Sequence, residues 1–233
     1  MVIKIQSWLV HLFTACGVLA GFLSLIAILS NNIFLAFLWL AVAFLIDGID
    51  GIFARKVNVK ENLPHIVGST LDNIVDYLNY VFIPAFMIYW FDLVIPEFKL
   101  FSAFLILIVS CYTFTNLNLK TEDNFFRGFP ALWNVVVFYL FVLKTSQNIN
   151  LLVIIFFGVM TFVPIKYVHP FRVEKWKSFT IFITVIWSIC TLALLLEIGN
   201  FNIVILGYQS FYFWIWLITT FYFFYISLIR SIE

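Results

Sequence analysis

Long apolar runs, almost free of charge, recur along the whole chain and are separated by short polar gaps. A helix that crosses a bilayer core about 30 Å thick needs about 20 mostly apolar residues, and most of these runs reach that length. The strands of a membrane barrel would instead read as segments of about ten residues with alternating polarity. Since 64% of the residues are hydrophobic and only 11% are charged, the main solvent of the chain must be lipid. The sequence therefore predicts an all-α, polytopic membrane protein.

The apolar runs predict about eight transmembrane helices in a single membrane domain over residues 1–233. The fifth and sixth runs are short and are joined only by a turn at residues 146–148, so six or seven crossings stay open as alternatives. The predicted crossings are 8–29, 32–54, 69–91, 98–118, 130–146, 149–165, 178–197 and 203–228.

Basic residues are distributed unevenly among the predicted loops. With eight crossings, all of the 13 basic residues except Lys99 and Lys144 fall on the same side as Lys4. Positive residues in short loops mark the cytoplasmic side of a membrane, so we expect both termini to be cytoplasmic. A net charge of +1 gives no basic surface of the kind that binds nucleic acid.

Four aspartates lie within the predicted membrane helices, where a carboxylate costs several kcal/mol unless it is paired, hydrated or bound to a cation. Asp47 and Asp50 fall at the cytoplasmic end of the second helix, and Asp72 and Asp76 at the cytoplasmic start of the third. At about 100° per residue, each pair lies on one face of its helix, and a short loop lets the two faces meet. Because oxygen ligands suit hard cations, the pattern predicts a site for Mg²⁺ or Mn²⁺.

Two other interpretations of the aspartates stay open at this point. The acids can be solvated helix ends or partners of the nearby Arg55, Lys56 and Lys60, although their shared faces with Gly51 and Gly68 favour a common site. A cation transporter is a remote alternative, but it should carry acids through the depth of the membrane, whereas these gather at one end.

The aspartates belong to a longer string of eight residues. It runs Asp-x2-Asp-Gly-x2-Ala-Arg from Asp47 to Arg55, then Gly-x3-Asp-x3-Asp from Gly68 to Asp76. This string resembles the signature of the CDP-alcohol phosphotransferase family of membrane enzymes. One departure is the spacer of 12 residues between Arg55 and Gly68, which is longer than in most members and adds loop at the membrane rim.

The resemblance implies a metal-dependent phosphatidyltransferase. By this resemblance, the four aspartates hold two divalent ions, Mn²⁺ or Mg²⁺, over the pyrophosphate of a CDP-linked lipid, and Asp76 is also the catalytic base. Contacts to the nucleotide fall to Gly51, Ala54, Arg55 and Gly68. The resemblance further implies a six-helix family core over residues 1–177, two additional transmembrane helices over 178–233, and a homodimer.

Outside the signature, the chain is similar to bacterial family members that join choline to CDP-diacylglycerol. The similarity lies in residues 8–15, 55–57, 63–64, 123–134 and 168–173. It implies that phosphatidylcholine and CMP form at a bacterial inner membrane, in an active site that faces the cytoplasm. Serine, inositol or glycerol phosphate stay open as acceptors, although the chain has few cations beside the acids that would hold an anionic alcohol.

Aromatic residues make up 21% of the chain, and they offer faces for the quaternary ammonium of choline, which cannot donate a hydrogen bond from nitrogen. The aromatic residues near the predicted cytoplasmic helix ends are Tyr77, Tyr80, Tyr112 and Trp133. The alternative for each is a ring that faces lipid or belongs to an interfacial belt.

Two further residues are predicted to contact the CDP-linked lipid. Thr14 lies near the start of the first helix, beside His11, where the family often has polar contacts to the nucleotide. Arg127 precedes the fifth helix, and its planar guanidinium can grip a phosphate. The alternative for Arg127 is a purely topological positive charge.

Overall fold

The computed structural model of the protein describes residues 2–116, 118–119, 121, 123–170, 176–199 and 211–232. Within these ranges the chain is almost entirely helical. The α-helices are α1 (Val2–Leu29), α2 (Ile33–Lys56), α3 (Val59–Asn62), α4 (Gly68–Tyr77), α5 (Ile83–Trp90), α6 (Lys99–Thr115), α7 (Trp133–Leu143), α8 (Gln147–Met160), α9 (Lys177–Gly199) and α10 (Phe211–Ile232).

Three short elements complete this architecture. A π-helical turn, Leu78–Phe82, joins α4 to α5, so that the two helices form one segment. A 3₁₀ turn, Pro96–Phe98, precedes α6. Two strands, β1 (Phe126–Arg127) and β2 (Lys166–Tyr167), pair antiparallel, with Phe126 opposite Tyr167.

The prediction of an all-α, polytopic membrane protein is confirmed. In the described part of the chain, five helices are long and apolar enough to cross a membrane, and they include α1, α2, α6, α9 and α10. The helices α7 and α8 are apolar but shorter, as expected for the fifth and sixth runs. Each of the eight predicted crossings contains a helical segment, with boundaries shifted by a few residues; the beginning of the last crossing, 203–210, lies outside the described residues.

Local sequence explains where the first two helices end and begin. Asn31 adopts a left-handed conformation with φ 54°, which asparagine tolerates better than most residues. The Asn32 side chain then accepts a 2.9 Å hydrogen bond from the Leu35 backbone and caps α2. Farther along, the buried Ser24 hydroxyl donates to the Ala36 carbonyl at 2.9 Å. These contacts fold α1 and α2 into an antiparallel hairpin.

Burial follows the pattern of a membrane protein. Large apolar side chains such as Leu12, Ile108 and Phe221 are exposed on the outside of the bundle, where lipid would cover them. The interior combines large side chains, including the fully buried Trp133 and Trp216, with polar groups. Because lipid cannot hydrogen-bond to buried polar groups, most of them bond within the protein. Some hydroxyls donate to a carbonyl one turn back in their own helix, as those of Ser7 and Thr14 do, and others bond to a neighbouring helix.

The last two helices are joined to the rest of the bundle by such polar contacts. The Tyr139 hydroxyl on α7 lies 2.5 Å from the Thr220 hydroxyl on α10. It also accepts a 2.9 Å hydrogen bond from the Trp187 indole on α9. The division into a core over 1–177 and two added helices stays a prediction.

Candidate active site

The acid site begins with two aspartates on one face of α2. Asp47 and Asp50 lie in the last three turns of the helix, and Asp50 is 6% exposed. The helix continues past them to Lys56, so both carboxylates project from regular helix and have fixed positions. Gly51 lies beside Asp50 on the same helix, and a side chain there would come within 3.3 Å of the Arg55 guanidinium.

A compact loop then turns the chain back toward α2. Asn58 takes a left-handed conformation with φ 52°, and the Asn62 side-chain amide donates to the Val57 carbonyl at 2.8 Å and to the Asn58 carbonyl at 3.1 Å. The short helix α3 begins directly after Asn58, ends at Asn62 and buries Val59. The spacer of the signature is therefore ordered, and it delivers Gly68 to the first turn of α4.

The loop brings the two acidic faces together. One carboxylate oxygen from each of Asp47, Asp50 and Asp72 lies within 4.8 Å of the others. Asp76 follows Asp72 by one helical turn and is half-buried; it is not part of this close group of three. The carboxylates of Asp72 and Asp76 both lie near enough to the Tyr80 hydroxyl to act on it electrostatically.

The three close carboxylates fit a divalent cation. Cation to oxygen distances of about 2.0–2.6 Å allow a single ion to touch oxygens that are up to 4.8 Å apart. The donor set contains only oxygen, which favours Mg²⁺, Mn²⁺ or Ca²⁺ over softer metals. Without a cation or protons, three carboxylates at this spacing in a membrane protein would repel one another. The cluster can therefore bind a divalent metal.

Helix α1 forms the third side of the site. Thr14, which is 7% exposed, has its hydroxyl beside the Asp50 carboxylate. His11 packs one turn earlier, and a side chain at Gly68 would lie 3.3 Å from its Cε1 atom. Nε2 of His11 is buried and has no hydrogen-bond partner among the described residues. The predicted Thr14 and Gly68 thus lie at the acid site, and His11 lies with them.

The other predicted nucleotide contacts lie on the outer side of the site. Arg55 is exposed at the end of α2, and its positive charge acts on Asp50. Ala54 is half-buried one residue before it. Small side chains at positions 51 and 54 leave open the face of α2 that carries the acids, and the arginine adds a positive charge at its rim.

Arg127 lies on a separate element, the short antiparallel pair of β1 and β2, which are separated in the chain by α7 and α8. It is exposed and pairs with Lys166 across the two strands. The Lys166 ammonium forms an ion pair with Asp123 at 3.2 Å. The Thr121 hydroxyl, and then Lys166, hold the pKa of the Asp123 carboxyl below its ordinary value. The strand pair therefore presents the exposed Arg127 beside the Lys166–Asp123 ion pair.

The four aromatic residues predicted to contact choline are not brought together. Tyr80 is 5% exposed and its hydroxyl donates to Asp47 Oδ2 at 2.5 Å. The Tyr77 hydroxyl donates to the Leu107 carbonyl on α6 at 2.9 Å. Tyr112 is exposed on α6 with its ring against Phe162.

Trp133, the fourth of these aromatic residues, has no exposed surface. Its indole N–H donates to the Ser110 hydroxyl at 2.9 Å. Of the four aromatic residues, Tyr80 is the one whose hydroxyl contacts an aspartate of the acid site.

Comparison with known proteins identifies the family of this chain. The sequence profile of the CDP-alcohol phosphatidyltransferase family matches residues 8–222, which run from α1 into α10. The chain belongs to this family. The resemblance of the signature string is confirmed, and membership in the CDP-alcohol phosphatidyltransferase family favours an enzyme over a cation transporter.

Several curated relatives of the chain are named phosphatidylcholine synthase. The protein from Pseudomonas aeruginosa is 42% identical over 194 residues, which are 83% of this chain and 82% of the relative. The protein from Rhizobium meliloti is 38% identical over 205 residues, 88% of this chain and 85% of the relative. The protein from Legionella bozemanae is 35% identical over 209 residues, which cover 87% of this chain and 96% of the relative.

Sequence reasoning missed one part of the site, the π turn that separates Asp76 from α5. The turn contains Asn79, a buried amide whose side chain contacts α1. An asparagine within an apolar run was the available signal, because polar side chains inside membrane helices usually bond across to a neighbouring helix. Asn79 lies three residues beyond Asp76 and so outside the eight-residue signature string.

Proposed function

We propose that this phosphatidyltransferase transfers the phosphatidyl group of CDP-diacylglycerol to choline and releases CMP. The observation that carries the proposal is the set of relatives named phosphatidylcholine synthase, which are 35–42% identical over most of this chain. The cluster of Asp47, Asp50 and Asp72 supports it, because such a cluster suits a substrate that carries a pyrophosphate.

In the proposed reaction the choline oxygen attacks the phosphorus that bears diacylglycerol. A new P–O bond to choline forms, the P–O bond within the pyrophosphate breaks, and its electron pair leaves with CMP. Asp76 accepts the proton of the choline hydroxyl. Its location one turn beyond Asp72 and outside the close group of three supports this role, because a carboxylate less shared among cations keeps a lone pair for a proton.

The four aspartates are proposed to hold two divalent ions, Mn²⁺ or Mg²⁺. When bound, these ions neutralise negative charge on the pyrophosphate and on the departing CMP. Asp47, Asp50 and Asp72 supply the ligands from two helices, and Asp76 supplies a further oxygen. The residues at positions 14, 51, 54, 55 and 68 are proposed to line the nucleotide, and Arg127 to contact a phosphate.

Choice of acceptor is the part of the proposal that a direct assay decides. Purified enzyme is incubated with CDP-diacylglycerol, Mn²⁺ and one labelled alcohol at a time, and the lipid product and CMP are measured. We expect label from choline in lipid, with one CMP released per product. Incorporation of serine, inositol or glycerol phosphate in place of choline would overturn the acceptor and leave the reaction class intact.

The proposal also includes the orientation and assembly of the enzyme. Both termini and the acid site face the cytoplasm of a bacterial inner membrane, as the basic residues Arg55, Lys56 and Lys60 beside the site favour. Single cysteines introduced at Ser69 and at Glu97, tested with a membrane-impermeant reagent in spheroplasts, should react only at Glu97. The homodimer is tested by the mass of the detergent-solubilised protein.

A further inference from the structure

The segment that carries Asp72 and Asp76 changes its helical geometry directly after the acids. Residues Leu78–Phe82 form a π turn, in which the Ile83 backbone N–H donates to the Leu78 carbonyl. Such turns are rare, weaken a helix and occur mostly at functional sites. A turn of this kind therefore needs local contacts that stabilise it. Its location directly after the acids also suggests that it affects the position of a residue at the acid site.

Asn79 provides the stabilising contacts. Its side chain is 2% exposed, and Nδ2 donates to the Gly17 carbonyl on α1 at 3.0 Å and to the Val75 carbonyl at 2.9 Å. Both hydrogens of the amide are used. The reverse orientation of the amide would place its oxygen against two carbonyl oxygens, so the hydrogen-bond network fixes which way the group points.

The surface of α1 is shaped to admit this amide. A side chain at Gly21 would come within 2.5 Å of Asn79 Oδ1, and one at Gly17 within 2.5 Å of the Val75 side chain. Small residues spaced in this way let two membrane helices approach closely. Asn79 Oδ1 has no hydrogen-bond partner in the described part of the chain, so the amide contributes to the bundle through its two N–H donors.

The consequence of the turn is seen at the next residue. Asn79 faces α1, while Tyr80 faces α2 and donates its hydroxyl to Asp47 Oδ2 at 2.5 Å. The Tyr80 ring packs against Phe44, with ring centroids 6.0 Å apart. Tyr80 is 5% exposed, so both the ring and the hydroxyl have a single defined position.

We infer that Asn79 is a positioning residue, which holds the π turn so that Tyr80 fixes the Asp47 carboxylate in the orientation that binds a divalent cation. The inference rests on the proposed metal role of Asp47. A hydrogen bond to one oxygen of a carboxylate fixes its rotation and leaves lone pairs for the ion. Groups that orient metal ligands in this way contribute about 10–100-fold to metal affinity.

Direct binding of Mn²⁺ to the purified, metal-free enzyme tests this inference without any turnover. The electron paramagnetic resonance signal of free Mn²⁺ gives the dissociation constant for the intact protein in detergent. We expect Tyr80→Phe and Asn79→Leu each to raise that constant about 10–100-fold. Because Asn79 acts through Tyr80, the double variant should bind no more weakly than the weaker of the two single variants.

Matched controls separate positioning from a general loss of buried polar contacts. Asn150 is also 2% exposed and its amide donates to the Leu93 carbonyl at 2.7 Å, and Tyr139 is a half-buried tyrosine whose hydroxyl is bonded to that of Thr220. Both lie outside the acid site. Asn150→Leu and Tyr139→Phe should bind Mn²⁺ like the unaltered protein.

Each remaining outcome decides between the inference and the proposed function. If the unaltered protein binds Mn²⁺ and Asn79→Leu binds as well as Asn150→Leu, the inference is wrong. Fully additive effects of Tyr80→Phe and Asn79→Leu on the free energy of Mn²⁺ binding would also overturn the inference. Additivity would show that Asn79 affects Mn²⁺ binding independently of Tyr80. Absence of saturable binding to the unaltered protein would instead overturn the cation role itself. Asn79→Ala replaces Asn79→Leu if the latter does not fold.

Discussion

The Tyr80 hydroxyl donates a 2.5 Å hydrogen bond to Asp47 Oδ2 and so joins the third membrane segment to the acidic end of α2. This contact bears on two roles for Tyr80. Its ring was predicted to contact choline, whereas its hydroxyl is engaged with an aspartate of the acid site. The two roles depend on different atoms, so substitutions can separate them.

Tyr80→Phe should leave the KM for choline unchanged and raise the Mn²⁺ concentration needed for half-maximal activity. The substitution keeps the aromatic face that would hold a quaternary ammonium and removes only the hydroxyl. The measurements are the choline KM at saturating Mn²⁺ and the Mn²⁺ requirement at saturating choline. Tyr80→Leu should raise the choline KM as well if the ring contacts choline. A raised choline KM in Tyr80→Phe would contradict the separation.

Asp76→Asn should lower kcat by about 10²–10⁴-fold, the usual contribution of a general base. Its Mn²⁺ affinity should change much less, because Asp47, Asp50 and Asp72 form the close group without it. Steady-state rates at saturating CDP-diacylglycerol and choline give kcat, and Mn²⁺ binding to the metal-free protein gives the affinity. Near-normal turnover in this variant would remove Asp76 from the role of base.

Asp47→Asn and Asp50→Asn should weaken Mn²⁺ binding by more than about 100-fold, which exceeds the effect expected of residues that only orient a ligand. An amide keeps the shape of the side chain and removes the charge that holds the cation. Asp92→Asn is the control, because Asp92 is exposed and pairs with Lys99 at the opposite end of the bundle. If all three variants bound Mn²⁺ equally well, the acid cluster would not be the cation site.

The sequence was sufficient to predict the membrane helices and the close approach of three of the four aspartates. Run length defines a membrane helix because the bilayer has a fixed thickness, and carboxylates such as Asp50 and Asp72 stand out against apolar neighbours. Their convergence was predicted from the short loop between α2 and α4. In the structure, one carboxylate oxygen from each of Asp47, Asp50 and Asp72 lies within 4.8 Å of the other two.

The sequence did not predict the π turn or the burial of individual aromatic rings, because both depend on side-chain direction and on contacts between helices. A π turn has no characteristic composition, and the one at Leu78–Phe82 depends on the carbonyl of Gly17 and on the space at Gly17 and Gly21, both on α1. In the same way, the full burial of Trp133 against Ser110 could not be told from an accessible ring near a helix end. Aromatic residues are so frequent in this chain that their type alone carries little information about a binding site.

Gly68→Ala should separate a role in substrate binding from a role in stability. In a helix, alanine is more favourable than glycine by roughly 1 kcal/mol, so the melting temperature should not fall by more than a few degrees. The new methyl group would lie 3.3 Å from His11 Cε1, which forces His11 or the start of α4 to shift at the proposed nucleotide site. The KM for CDP-diacylglycerol should therefore rise while the fold persists.

Gly48→Ala supplies the matched control for Gly68→Ala, because a side chain there would meet nothing within 4 Å. It makes the same chemical change on α2, one residue from Asp47, and should raise the melting temperature slightly without altering the KM for CDP-diacylglycerol. Thermal unfolding in detergent and initial rates over a range of CDP-diacylglycerol concentrations give both quantities. Equal KM values in the two variants would mean that the close contact between Gly68 and His11 serves helix packing. Gly68 would then no longer be assigned to the proposed nucleotide site.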